Sequence, residues 1–150
     1  MRRGVVPSSL CGNGGAELDT LQCFPIRTQA DVELARRAAR ALAGTLGFGT
    51  ADTERVALTV SELATNLLRY AVQGEVVLAP AAATGYGLRI ESRDAGPGIA
   101  DLDAALRDGA STAGGLGSGL AGVRRLMDEM TITTAPQGTR IVVHKWLTNR

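Results

Sequence analysis

The stretch SELATNLLRYA at residues 61–71 lies in a longer run in which apolar and polar residues both recur at helical spacing. The apolar set, which falls on one stripe of a helix turning about 100° per residue, consists of Val56, Val60, Leu63, Leu67 and Tyr70. The polar set, spaced i, i+4, i+7 and i+11 on a neighbouring stripe, consists of Glu62, Asn66, Arg69 and Gln73. We therefore predict a helix from about Asp52 to Gln73, closed by Gly74, with polar groups at the rim of the core.

This polar stripe has the chemistry of a metal-phosphate site. Mg²⁺ keeps several waters and takes few protein oxygens, so the amide oxygen of Asn66 is a candidate metal ligand. Glu62, one turn earlier, would then be free to orient a nucleophile. A solvated helix face with a hydrogen bond between Glu62 and Asn66 is the alternative that the spacing alone leaves open.

A second candidate site is the stretch DAGPGI at residues 94–99, directly after a strand-like run. A carboxylate followed by residues without side chains lets a flat ring lie against the backbone while Asp94 contacts its edge. An ionised carboxylate only accepts hydrogen bonds, so it selects adenine, which offers an amine, over guanine, which offers a carbonyl. A simple turn started by the aspartate is the alternative.

A third candidate is the stretch GGLGSGL at residues 114–120, which opens an amphipathic helix. Free amides at a helix N-terminus, approached through glycines, form a phosphate site without a lysine. The polar, small residues 101–113 before it suit a mobile lid, although a flexible linker is the alternative.

Composition excludes several classes of function. The chain has 150 residues, 45% of them hydrophobic, which is enough for one domain with a core. A net charge of +1 and 3% aromatic residues argue against nucleic acid or an anionic membrane as a partner. Lys145 is the only lysine, which excludes a P-loop. Because neither an apolar secretion segment nor a membrane-spanning run is found, we expect a cytoplasmic protein.

The order of elements predicts an α+β sandwich, with a mostly antiparallel sheet and its helices on one face. We expect a flexible leader at residues 1–20 and one domain at residues 21–147. The first strand is predicted at residues 21–28 and the first helix from its cap Asp31 to about Leu46, ended by glycine at Gly47. The remaining predicted elements are strands at 74–80 and 86–92, a helix from about Leu120, and strands at 131–136 and 139–146.

The three motifs together resemble a known family. SELATNLLRYA is similar to the N box, and RDAGPGI and GGLGSGLAGVRRLMDE are similar to the two glycine boxes, of the gyrase, chaperone, histidine-kinase and MutL (GHKL) ATPases. Their Bergerat fold is a two-layer ATP-binding sandwich. Within this superfamily the chain resembles the RsbT-type switch serine/threonine kinases, and also the RsbW and SpoIIAB anti-sigma factor kinases, over residues 21–146.

The resemblance implies a role for each matching residue. Glu62 matches the general base, Asn66 the Mg²⁺ ligand and Arg69 a basic residue that follows the N box. The residues matching the nucleotide contacts are Asp94, Gly96 and Gly98 for adenine, Gly115, Gly117, Ser118, Gly119 and Leu120 for the lid hinge and phosphates, and Thr139 for adenine through a water.

The family implies ATP and Mg²⁺ as cofactors and transfer of the γ-phosphoryl group to a serine or threonine of a STAS-domain antagonist protein. Two alternatives stay open. One is an anti-sigma factor kinase of RsbW or SpoIIAB type, which also binds a sigma factor. The other is a non-catalytic, nucleotide-gated module that activates a PP2C-type phosphatase. A histidine kinase is disfavoured because the sole histidine, His144, is predicted in the last strand.

Overall fold

The computed structural model describes residues 21–83, 85–96, 98–99, 106 and 119–148. Within these residues lie three helices and one five-stranded antiparallel sheet with the order β1-β2-β3-β5-β4. The strands are β1 Gln22–Ile26, β2 Gly74–Ala82, β3 Tyr86–Asp94, β4 Glu129–Ala135 and β5 Gly138–Trp146, and the helices are α1 Gln29–Leu46, α2 Thr50–Tyr70 and α3 Gly119–Leu126. The predicted α+β class, the antiparallel sheet and both hairpins are confirmed. The predicted leader at residues 1–20 lies outside the described residues.

The first helix begins three residues earlier than the sequence suggests. Thr28 is its N-cap, and the Thr28 hydroxyl accepts from the Asp31 amide while the Asp31 carboxylate accepts from the Thr28 amide at 2.9 Å. Asp31 is therefore the third residue of a capping box and not the cap itself. Amides of Arg27 and Thr28 lower the pKa of Asp31. The predicted end is correct, because Gly47 takes a left-handed conformation with φ 103°.

The predicted bounds of α2 are wrong at both ends. The helix starts at Thr50, after Gly49 as N-cap, and it ends at Tyr70. Gln73 has a φ of 56°, and Gly74 already pairs with Ile26 as the first residue of β2. Because the backbone is paired in the sheet from Gly74 onward, residues 71–73 connect the helix to β2. Gln73 therefore does not belong to the polar stripe of α2.

The core lies between the helices and one face of the sheet. Its central members are the buried Val56, Val60, Leu63, Val76, Leu78, Leu88, Ile90 and Val143. Helix α1 contributes mostly alanines, and Ala35, Ala39 and Ala43 have no exposed surface. These small side chains let α1 approach α2 closely. Among the described residues, no helix has the length and hydropathy needed to cross a membrane.

The opposite face of the sheet carries a cluster of ion pairs around Glu91, which is only 2% exposed. The Glu91 carboxylate accepts from Arg140 Nε at 2.6 Å and from Arg89 at 2.5 Å, and it lies 3.3 Å from Arg93 Nε. Burial by itself raises the pKa of Glu91. The hydrogen bond from Arg140 and the charges of the three arginines lower the pKa by a larger amount, so the net shift is downward. Glu91 is therefore the shared counter-charge of three guanidinium groups.

We expect the substitution Glu91→Gln to lower the free energy of unfolding at neutral pH by about 3 kcal/mol, because it removes the one charge that the arginines share. The pKa of Glu91 is lowered in the folded state, so its contribution is complete above the ordinary glutamate pKa and is lost as the pH falls through the lowered value. The difference in the free energy of unfolding between wild type and variant should therefore become smaller at acidic pH. Urea unfolding at a series of pH values measures it.

Glu33→Gln is the matched control, because Glu33 pairs with Arg36 on the surface and its side chain is 46% exposed. Its expected cost is below about 0.5 kcal/mol. If the two substitutions lower the free energy of unfolding equally, the Glu91 cluster has no special role in stability.

Candidate functional site

The polar residues of α2 lie at the rim of the core, as their spacing predicts. Glu62 and Asn66 are half-buried, beside the buried Leu63 and Leu67 that face the sheet. Arg69, in the last turn of the helix, is exposed. The carboxylate and the amide therefore lie at the border between the apolar layer and solvent, where a charged ligand can reach them.

The end of α2 is tied to the first glycine box. The amide of Ala95 donates to the carbonyl of Val72 at 3.0 Å, just after the helix. A Cβ placed on Gly96 would come within 3.1 Å of Asp94 Oδ1 and 3.4 Å of Val72 N, so the two segments are in close contact. The N box and the glycine box, which are far apart in sequence, thus meet at one edge of the fold.

Asp94 is the last residue of β3, and backbone amides hold its side chain. Asp94 Oδ1 accepts from the Gly96 amide at 2.6 Å, and the Thr139 amide also acts on the carboxylate. Burial raises the pKa of Asp94, and the two amides offset part of that rise. The aspartate-initiated turn considered from the sequence is thus present. A carboxylate has about four acceptor positions, so this turn leaves room for a donor on a ligand.

The turn of the last hairpin closes against the same loop. Gly98 has a φ of 86°, and a Cβ there would lie 2.3 Å from the carbonyl oxygen of Ala135. A Cβ on Gly138 would lie 2.3 Å from the carbonyl oxygen of Asp94. Only glycine allows these two backbone approaches, which bring Thr139 opposite Asp94.

The second glycine box is described only from Gly119 onward. Gly119 has a φ of 67° and begins α3, which packs against α2, and Leu120 is buried in the core. The other predicted phosphate residues, Gly115, Gly117 and Ser118, lie outside the described residues. The predicted lid at residues 101–113 also lies outside them, apart from Leu106.

Few side chains among the described residues could bind a magnesium ion. Within the described ranges there is no group of three or more His, Cys, Asp or Glu side chains that could hold a metal. Asn66, half-buried at the rim, offers one neutral oxygen, which suits an ion that keeps waters and binds through a ligand's phosphates.

Two residues that contact the site, Thr134 and Val72, are not predicted from the sequence. Thr134 contacts both the glycine box and Thr139, and Val72 anchors Ala95 through its carbonyl. Thr134 had a visible signal, because it follows Ile132 on the inward face of β4 and is a polar residue at an apolar position. The contact of Val72 uses backbone alone and had no signal.

Comparison with known proteins confirms the resemblance of the three motifs. Residues 26–145 match the family model of the histidine kinase-like ATPase domain. The chain is 46% identical over 127 residues to the serine/threonine-protein kinase RsbT of Bacillus subtilis (strain 168), covering 83% of this chain and 96% of that protein.

Solved structures share the fold at lower identity. The RsbU and RsbW domains of a Mycobacterium tuberculosis protein give a TM-score of 0.61 at 20% identity, covering 87% of this chain and 33% of that chain. The histidine kinase AdeS of Acinetobacter baumannii gives a TM-score of 0.52 at 17% identity, covering 85% of this chain and 68% of that chain. This chain spans about a third of the mycobacterial one, and the two likenesses concern the fold alone.

We expect Gly98→Ala to lower the free energy of unfolding by about 2 kcal/mol, because alanine is strained at a φ of 86° and its Cβ would meet the Ala135 carbonyl. Urea unfolding measures the loss, and hydrogen exchange of the Ile99 amide reports whether the loop has moved. Gly44→Ala is the control, since Gly44 lies within α1 with no neighbour inside 4 Å. Alanine there should stabilise the helix by about 0.5–1 kcal/mol. The steric argument fails if the two variants are equally stable.

Proposed function

Because the chain belongs to the histidine kinase-like ATPase family and to its RsbT-type serine/threonine kinases, we propose that it transfers the γ-phosphoryl group of ATP to a STAS-domain antagonist protein. Its class as an ATP-dependent serine/threonine protein kinase of a partner-switching pathway follows from the family. The observation that carries the site assignment is the half-buried carboxylate of Asp94, held at a strand end beside the N-box helix. We place the reaction in the cytoplasm, where ATP is available.

The base of ATP is assigned to the pocket edge formed by Asp94, Gly96 and Gly98. The Asp94 carboxylate, oriented by the Gly96 and Thr139 amides, accepts from the exocyclic amine of adenine. Guanine would present a carbonyl oxygen to the same carboxylate, and two acceptors repel. Gly96 and Gly98 let the loop beside Asp94 pack closely against Val72 and Ala135, and Thr139 supports the ring directly or through one water.

The phosphates are assigned to the space between α2 and the start of α3. Amides at Gly119 and Leu120, with those of Gly115, Gly117 and Ser118 before them, cradle the phosphate oxygens. Asn66 would hold Mg²⁺ through its amide oxygen, and Arg69 places a positive charge at the end of the N box. When bound, Mg²⁺ neutralises charge on the phosphate oxygens.

Glu62 is assigned as the general base, which accepts the proton of the attacking hydroxyl. The hydroxyl oxygen of a serine or threonine attacks the γ-phosphorus, the bond from that phosphorus to the bridging oxygen breaks, and ADP leaves. The proton passes to the Glu62 carboxylate. Glu62 lies one helical turn before Asn66 on the same stripe, so the base and the metal ligand face the same space. Alignment and charge neutralisation supply most of the rate in this chemistry.

We expect Glu62→Gln to keep ATP affinity within about twofold and to slow phosphoryl transfer by about a hundredfold or more, because only the proton acceptor is lost. Asn66→Ala should instead weaken binding of ATP in the presence of Mg²⁺. Radiolabelled ATP with STAS proteins encoded beside the gene measures transfer, and calorimetry measures binding.

Glu54→Gln serves as the matched control on the same helix, because Glu54 pairs with Arg40 on the surface away from the polar stripe. It should leave binding and transfer unchanged. Full transfer by Glu62→Gln would refute the assignment of the base, and unchanged Mg²⁺-ATP affinity of Asn66→Ala would refute the metal role. Wild-type ATP binding without any transfer would favour the phosphatase-activating module, and capture of a sigma factor would favour the anti-sigma kinase.

We expect Asp94→Asn to weaken ATP binding by about tenfold to a hundredfold, which is the loss of one hydrogen bond to a charged acceptor. Binding of GTP should change far less, because guanine presents a carbonyl oxygen, not an amine, at the position that faces Asp94 in this assignment. The ratio of the two dissociation constants, measured by calorimetry, is the readout. An unchanged ratio would show that Asp94 does not contact the base.

A further inference from the structure

Thr134 lies at the centre of a hydrogen-bond network that joins three parts of the candidate nucleotide site. Its hydroxyl accepts from the amide of Ile99, the last residue of the first glycine box, at 2.8 Å. The same hydroxyl lies 2.9 Å from the hydroxyl of Thr139, which is its cross-strand partner in β5. Thr139 in turn is paired with Asp94 across β3 and β5. One side chain on β4 thus bonds the loop that follows Asp94 and the strand that faces it.

The donors and acceptors in this network favour one direction, although either hydroxyl of the Thr134–Thr139 pair can donate. An amide only donates, so Ile99 occupies one lone pair of Thr134 Oγ1. The proton of Thr134 needs an acceptor, and among the described residues the remaining contact of that hydroxyl is Thr139 Oγ1. When Thr134 donates to Thr139, the Thr139 hydroxyl keeps its own proton free to point into the site.

A free proton on Thr139 suits adenine. The ring nitrogen beside the amine of adenine is an acceptor, whereas the corresponding nitrogen of guanine carries a hydrogen. Asp94 accepts at one position of the base edge, and Thr139 then donates at the next, directly or through a water. The opposite orientation, with Thr139 donating to Thr134, would leave no proton for the base.

We propose that Thr134 is a positioning residue for purine selection, which acts by orienting the hydroxyl of Thr139 and by fixing the Ile99 end of the glycine-box loop. The inference rests on the proposed function, since it needs an adenine nucleotide in the site. Thr134 itself makes no contact with the nucleotide in this scheme. The close packing supports a fixed geometry, because a Cβ on Gly98 would lie 3.0 Å from Thr134 Oγ1.

The test compares three variants of the full chain by the dissociation constants of ATP and GTP and by thermal unfolding. Thr134→Val keeps the shape and removes the hydroxyl, so we expect ATP to bind about tenfold more weakly while GTP changes by less than about twofold. Thr134→Ser keeps the hydroxyl and should preserve the preference for ATP. Thr133→Val is the matched control, since Thr133 is exposed on the other face of the same strand and should behave as wild type.

Each outcome decides the proposal. A tenfold fall in the ATP preference with Thr134→Val, rescued by Thr134→Ser, supports it. Loss of thermal stability with an unchanged ratio of ATP to GTP affinity overturns it, because Thr134 would then serve structure alone. If Thr134→Val does not fold, Thr134→Ala, which adds no methyl against the Ile99 amide, replaces it in the same comparison. Failure of the wild-type chain to bind ATP would overturn the proposed function itself, which is a separate result.

Discussion

The antiparallel pairing of β3 with β5 is the constraint on which the candidate site depends. It sets Asp94, the last residue of β3, opposite Thr139, near the start of β5. Gly138 makes this possible, because any side chain there would collide with the Asp94 carbonyl. The amide of Thr139 then orients the Asp94 carboxylate, whose other amide partner, Gly96, comes from the loop that follows. The carboxylate is thus fixed by backbone groups and owes its direction to strand pairing.

A second connection ties the helical layer to this edge of the sheet. After α2 ends at Tyr70, the chain turns through Gln73 in a left-handed conformation, and the Val72 carbonyl accepts from the Ala95 amide. The N-box residues and Asp94 belong to different layers, so this hydrogen bond and the close contact at Gly96 keep them together in the candidate site. Buried Leu63 and Leu67 anchor α2 itself to the sheet.

Much of the fold could be predicted from periodicity, whereas its boundaries and cross-links could not. Alternation and turn residues gave both hairpins, and the helical stripes gave α2 with Glu62 and Asn66 at its rim. The end of α2 was wrong because Gln73 continues the helical pattern while pairing of Gly74 with Ile26 takes the backbone into the sheet. The cap of α1 was wrong because Thr28 and Asp31 are both good caps and only the geometry separates them. Thr134 was missed because its importance depends on Ile99, which lies 35 positions away.

The cluster around Glu91 has a consequence for how the chain avoids misfolded arrangements. Along β3, buried Leu88 and Ile90 face the helices, while Arg89, Glu91 and Arg93 lie on the other side. If β3 paired one residue out of step, these charges would enter the apolar layer without their partners, at a cost of several kcal/mol for each ion. A misfolded arrangement in which Asp94 is not paired with Thr139 therefore has a higher free energy, because charged side chains on the other face of the same strand are buried without partners. The ion pairs therefore favour the native register of β3, although they lie on the face of the sheet opposite the helices.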